Sequence, residues 1–331
     1  MIASLVMRLV AGAALMLLVL VLSFLFEGAD RIVHARMQRR WGPPLFQPFF
    51  DLLKLLGKEN IVPRRAVPWA FNGAPWVAAA SMLLVFLYIP MGSLPAILGG
   101  EGDLILVLYL LSLSGVAMAV GGFASGNPIA NVGAQREMIL MMSYELPLAV
   151  VASTVAWVAY RTGMPGEPFS LETFVGMSLW NVMGKVGLIG LVCLFIALVL
   201  VVPGETGKGP MDIPEAKTEI LDGLIIEYSG ANLAMFKITF ALRSLAVSAL
   251  IVSLFIPWSL GGFFGADGAL LFGVDFIWFW IKVFLVQIVV VTYMRTAFGR
   301  LKIWQASEFY LVKVAGLSFA GMILASLDLM L

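Results

Sequence analysis

Residues 203–236 read PGETGKGPMDIPEAKTEILDGLIIEYSGANLAMF and separate two long apolar parts of the chain. LVCLFIALVL (191–200) leads into them, and a second apolar run leaves from residue 231. The stretch is the most acidic in the sequence: Asp212, Glu215, Glu219 and Asp222 follow one another at spacings of three and four. If Pro214 opens a helix at its first position, these carboxylates share one face. Glu227 follows beside Tyr228, at the edge of the next apolar run. Charge runs usually face water, so a solvated loop accounts for the same residues. Between two runs long enough to cross a bilayer, the cluster is also a candidate entrance for ions.

The rest of the chain decides the fold class. Of 331 residues, 61% are apolar and only 12% are charged, a balance no soluble domain shows. The mean hydropathy is +0.99. Uncharged apolar runs near bilayer length recur along the chain and lack the period-2 alternation of barrel strands. The sequence therefore predicts an all-α integral membrane protein, a single membrane domain over residues 1–331, with about eight transmembrane helices. The net charge of +1 argues against a nucleic-acid partner. One cysteine, Cys193, and one histidine, His34, exclude an internal disulfide and any Cys/His cluster for zinc, iron–sulfur or nickel. Redox centres served by this chain would lie on other chains, and its metal ligands and catalytic residues are expected to be none.

Working outward from the acidic stretch, the expected spans are 5–26, 72–92, 103–122, 138–160, 178–202, 231–256, 273–294 and 308–329. The apolar run 9–26 is too long for a signal peptide and ends without a small-residue cleavage motif, so it reads as a retained first span. A basic segment follows it, with Arg31, Arg36, Arg39, Arg40, Lys54, Lys58, Arg64 and Arg65. Within it, PFFDLLKLLGKE (48–59) has the pattern of an amphipathic helix lying in the membrane interface. The loops holding these bases, Arg136, the acidic stretch and Arg295/Arg300/Lys302 all fall on one side. The positive-inside rule puts that side in the cytoplasm and both termini outside.

Several ionisable residues fall inside the expected spans: Glu145, Lys185, Lys237, Arg243, Lys282 and Lys313. Each would cost about 2.5–3.5 kcal/mol at the centre of a lipid-facing helix. Lysines near the ends can snorkel to the interface. Arg243, about 18 Å into its span, is too deep for that, and the glutamate side chain at 145 is too short. Both should face a protein interior or a water-filled cavity, with partners. The expected ion route enters at Glu215 and Glu219, passes Glu227 to Glu145, and continues through buried lysines. Lys237, Arg243, Asp212 and Asp222 are counted along it, with Lys185, Lys282 and Glu137 as secondary members.

Five segments, in order, carry a resemblance. DRIVHARMQRRWGP (30–43) resembles an R…Q-x-R-x-G-P signature, and LFQPFFDLLKLLGKENIVP (45–63) a Q-P…D…K-L…K-E…P stretch. GAQREMILMMSYE (133–145) resembles G-A-x-R…S-Y-E; the acidic stretch is the fourth, and RTAFGRLKIWQ (295–305) the fifth. Together they resemble the core membrane subunit of respiratory complex I and of energy-converting [NiFe] hydrogenases. The resemblance implies a subunit that joins a peripheral redox arm to antiporter-like, ion-pumping membrane subunits in a prokaryotic cytoplasmic membrane. It implies carboxylate roles for Glu145, Asp212, Glu215, Glu219 and Glu227. It also implies docking of the arm on Arg31, Arg36, Arg39, Arg40, Lys54, Lys58, Arg136, Arg295 and Arg300. [NiFe] and iron–sulfur clusters would then reside on hydrogenase-like large and small subunits and an iron–sulfur subunit.

Three features favour the hydrogenase branch. GPPLFQP (42–48) is contracted relative to the complex I pattern, in the part associated with the quinone entrance, and both DIPEAKTEI…EYSG…LAMFK (212–237) and FIPW (255–258) after the sixth span look hydrogenase-like. Lys217 and Trp304 depart from complex I, where acids are usual, and Lys217 leaves the acidic relay one charge short. The quinone-chamber subunit of a complex I and the membrane subunit of a sulfur-reducing complex remain the alternatives.

Overall fold

A computed structural model describes residues 2–100, 102–261 and 269–330. Among the described residues, eight helices are long and apolar enough to cross a membrane. In chain order they are α1 (Ile2–Met37), α3 (Pro68–Tyr88), α4 (Leu104–Ala124), α5 (Pro128–Arg161), α8 (Lys185–Thr206), α10 (Gly230–Phe255), α11 (Leu270–Ala297) and α12 (Ile303–Asp328). Between them lie α2 (Gln47–Leu56) and three one-turn helices: α6 (Thr173–Gly176), α7 (Leu179–Val182) and α9 (Lys217–Ile220). No strand occurs among the described residues.

The expected spans all appear, with shifted ends. α1 runs eleven residues past its expected end and takes Glu27, Asp30, Arg31, His34 and Arg36 into the helix. α5 starts ten residues early, because Asn127 caps it and Pro128 occupies its first turn. α8 starts seven residues late. Residues 179–182 form a separate turn, Met183 and Gly184 are extended, and the Gly184 N–H donates to Asp328 at 2.7 Å. Lys185, expected well inside a span, is therefore the exposed first residue of α8.

α10 is the axis of the bundle. Every residue from Ala241 to Phe255 is buried, against α1, α3, α8 and α11. A helix apolar all round belongs in a core, and the small residues Ser244, Ala246, Ser248 and Ala249 let its neighbours approach closely. Two six-residue π segments, Gln287–Thr292 in α11 and Phe309–Val314 in α12, widen those helices where they pass the polar interior.

The two ends of the bundle differ. At the charged end lie α2, the acidic stretch and the 298–302 loop. The loops 89–100, 162–184 and 256–261 lie at the far end, where Gly184 meets Asp328. α2 is amphipathic as expected: Pro48 is buried while Phe50 and Leu53 are 59% and 65% exposed.

Candidate functional site

Arg243 reaches into the middle of the bundle and is 1% exposed. Its Cα is about 20 Å along α10, but side chains on a helix tilt toward the N-terminus, so the guanidinium returns toward the charged end. There Nη1 donates to Glu137 of α5 at 3.1 Å and Nε donates to Glu205 of α8 at 3.3 Å. Nη2 lies 3.5 Å from the hydroxyl of Tyr144. All four residues are buried. Space for the guanidinium comes from α4: a Cβ at Gly115 would stand 2.7 Å from Nη2 and 3.4 Å from Glu137 Oε1. Two carboxylates share one guanidinium, so the cluster carries one acid more than it can neutralise by itself.

Arg243 was legible from depth alone. Glu137, a secondary member by sequence, is its direct partner, and Glu205 was missed. Glu205 sits in PGET, which reads as loop, yet α8 continues through Pro203 to Thr206 and keeps it 1% exposed.

Glu145 stands at the middle of α5, about 26 Å from its start, where the expected span 138–160 would put it only about 10 Å in. It is half-buried beside Ser112 of α4, and its Oε1 is buried without a hydrogen-bond partner among the described residues. The flanking Met142 and Leu146 and the nearby Leu113 of α4 are exposed, so the carboxylate sits at the edge of an outward apolar face.

The acidic stretch does not form the expected helix. Lys217–Ile220 makes one turn, the left-handed Leu221 and Asp222 end it, and Gly223–Ile225 follows as a separate 3-10 turn. The carboxylates disperse accordingly. Asp212 accepts from Arg300 Nε at 2.7 Å, Glu219 pairs with Arg136 at 2.6 Å, and Asp222 lies 3.5 Å from Lys217. Glu227 accepts from Asn127 and ties the acidic stretch to the start of α5. Glu215 is left half-buried in a cleft. Burial pushes its carboxyl up to about 7; Lys237 opposes the shift, while Glu137, Asp222 and Asp212 add to it.

That cleft, of about 470 Å³, opens between α1, α2 and α10. Its inner wall is a second ionic cluster that the sequence did not suggest. Asp30, 1% exposed, accepts from Thr292 at 2.6 Å and pairs with Lys208 and Arg295, each at 3.2 Å. Lys208 also bonds Glu27 at 2.7 Å. Burial alone would lower the Lys208 pKa, but Glu27 and Asp30 together raise it. Arg31 bridges Glu27 and Asp51 at 3.3 and 2.9 Å, and Gln47 donates to Asp51 at 3.0 Å. Burial would raise the Asp51 carboxyl; the bonds from Arg31 and Gln47 outweigh it and hold the group below the usual range.

The expected docking residues divide. Arg36, Arg39, Arg40, Lys54 and Lys58 are exposed, with Arg36 over the Trp41 ring at 5.0 Å. Arg31, Arg136, Arg295 and Arg300 instead spend their charge on internal carboxylates. Lys282 donates to the carbonyls of Ile256 and Trp258 at 2.6 and 3.0 Å, closing the exit of α10. No three His, Cys, Asp or Glu side chains converge as a metal-binding set among the described residues.

Comparison with known proteins adds an independent line. A sequence profile of the family described as NADH dehydrogenase matches residues 10–326. The chain is 34% identical over 241 residues to hydrogenase-4 component C of Escherichia coli (strain K12), covering 73% of each chain. It is 35% identical over 274 residues to the H subunit of the NADH-quinone oxidoreductase of Syntrophotalea carbinolica, covering 77% of this chain and 76% of the other. Among solved structures, a chain of the membrane-bound sulfane sulfur reductase, an archaeal respiratory membrane complex, superimposes with a TM-score of 0.79 at 28% identity. That match covers 96% of this chain and 99% of the other.

Proposed function

The chain belongs to the NADH dehydrogenase family of membrane proteins, and from that premise we propose that it is the anchoring and ion-coupling subunit of a hydrogenase-type complex. In this reading it joins a peripheral redox arm to antiporter-like membrane subunits and holds no redox centre itself. Nickel–iron and iron–sulfur centres belong to the partner subunits, and the charged end faces the cytoplasm. The observation that carries the reading is Glu145. A carboxylate halfway along a membrane helix, half-open to an apolar face, is costly in lipid. A neighbouring membrane subunit that covers the face and offers a polar group removes that cost and receives the ion.

The route begins at Glu215, which faces the cleft and exchanges protons near neutral pH. It continues through the Glu137 and Glu205 carboxylates around Arg243, with the Tyr144 hydroxyl beside them. It ends at Glu145, the next residue along α5. Redox events in the arm would shift the charge at the exposed basic end, and the buried pair would respond by taking or releasing a proton.

Glu145→Gln removes the charge and keeps the shape. It should abolish ion translocation by the purified complex in sealed vesicles, measured with a pH- or ion-sensitive dye, while the subunits remain assembled. Translocation at the wild-type ratio would show that the relay does not run through Glu145. The redox partner is tested by purifying the complex through a tag on this chain. Nickel with hydrogen evolution supports the proposal. A second reading, a quinone-linked complex, draws support from the cleft beside α2, whose volume suits a small-molecule ligand. Iron without nickel, together with quinone reduction, would select it.

A further inference from the structure

Lys313 lies inside a span and has no place in the proposed ion route. It stands about 14 Å along α12 from Ile303 and about 12 Å below the exposed Trp304. A lysine stem covers about half of that second distance, so it does not by itself return the ammonium to the level of the Trp304 ring. Glu308 precedes it by five residues. Both are exposed, and neither side chain has a salt bridge or hydrogen bond among the described residues. The π segment Phe309–Val314 between them, bonded i to i+5, brings positions five apart toward one face.

α12 is, after α1, the least buried of the eight spans. Ala306, Tyr310, Val314, Ser318 and Ala325 turn inward and are buried. Val312, Phe319 and Ile323 turn outward, with Gly316 and Ala320 exposed between them. A Cβ at Gly316 would meet nothing within 4 Å, so no contact inside this chain requires a glycine there. A glycine within a helix costs about 1 kcal/mol relative to alanine. On a membrane helix, two small residues four apart let another helix approach closely.

The charges decide what covers this face. Lipid tails offer no partner to Lys313 or Glu308, and a charge left in lipid is costly. A second copy of this chain, related by an axis along the membrane normal, would set Lys313 against Lys313 and Glu308 against Glu308. A helix from a different chain can carry the opposite charges in the matching order. We propose that the outer face of α12, from Glu308 to Ile323, is the docking site for a transmembrane helix of another membrane subunit. That helix presents a carboxylate to Lys313 and a hydrogen-bond donor to Glu308, and its backbone lies against Gly316 and Ala320. The two charges fix its depth, and the small pair fixes the point of closest approach. The face does not include Glu145, so the inference stands whichever redox partner the complex has and whether or not ions pass Glu145.

The test uses the intact complex, purified in mild detergent. Photoreactive benzoyl-phenylalanine replaces Val312, Phe319 or Ile323, one position per variant. Each should cross-link to the same polypeptide, and mass spectrometry of the linked peptide should find an apolar membrane-spanning stretch that contains Asp or Glu. Lys313→Glu should cut the yield of that link several-fold, while Lys313→Arg keeps it. Gly316→Leu should cut it as well, and the open space outside Gly316 means that it does so without disturbing the packing of this chain. Should Lys313→Glu fail to assemble, Gly316→Leu decides the matter. An unchanged yield in either variant would overturn the proposal. Adducts to lipid alone, to a differently tagged second copy of this chain, or to a polypeptide with no membrane span would each overturn it too. Ion translocation in Glu145→Gln is a separate readout, so failure of the relay and failure of this docking face are told apart.

Discussion

Charged side chains do opposite jobs at the two ends of this bundle. At the charged end they bond to one another: Arg243 to Glu137 and Glu205, Lys208 to Glu27 and Asp30, and Arg31 to Asp51. At the far end they bond to backbone. Asp275 accepts from the N–H groups of Leu260 and Gly261 at 3.0 and 2.7 Å, and Lys282 caps the carbonyls that end α10. Asp103 caps α4 through Leu106 N–H, and Asp328 holds Gly184. A side chain that completes a backbone turn is held in one arrangement. The linked carboxylates and cations are the groups through which the proposed relay runs. In the proposed relay it is the partner of a buried charge, not its burial alone, that separates the two ends.

The comparison can be broken most forcefully at Arg243. Arg243→Met leaves Glu137 and Glu205 buried without their cation, and breaking such a pair costs about 3–5 kcal/mol. The complex should lose much of its thermal stability, and Glu137→Gln in the same chain should recover part of it. A single Arg243→Met variant as stable as wild type would mean the carboxylates are already neutral. At the far end, Asp275→Ala removes two charge-assisted bonds and should cost about 1.5–3 kcal/mol. Its unfolding midpoint should fall while the ratio of ions moved per turnover is unchanged. A changed ratio would erase the distinction between the two ends. The smallest effect is a titration. The Glu215 carboxyl is raised from 4.5 to about 7, so the native state binds its proton more tightly than the unfolded chain. Its contribution to stability is greatest below pH 4.5, declines as pH rises toward 7, and is level above that. Infrared difference spectra should show a protonated-carboxyl band that disappears through neutral pH and is absent in Glu215→Gln. A band lost near pH 4 would place Glu215 in open water.

Much of the architecture could be read from the chain because the bilayer imposes it. Apolar runs of fixed length become helices, since no other backbone satisfies its hydrogen bonds in lipid. The depth of Arg243 followed from counting residues; Glu145 lies deeper than the count placed it because α5 starts ten residues early. The partners did not follow from counting. Glu27 and Asp30 read as residues just past the end of the first span, and they become interior only because α1 continues eleven residues further and meets Lys208 and Arg295. Glu205 reads as loop in a Pro/Gly-rich setting, and α8 carries it inward. Glu215, Glu219 and Asp222 have helical spacing and no helix, because the left-handed residues at 221 and 222 stop it after one turn.

The amino-acid sequence alone determined that this is an eight-helix membrane protein with its charge concentrated at one end, because hydropathy and length act on each segment independently. Only the tertiary structure decided which charges meet. A salt bridge between α5, α8 and α10, or between α1 and α11, depends on helix ends, rotations and neighbours that are set by packing across the whole bundle and are not written in any one segment.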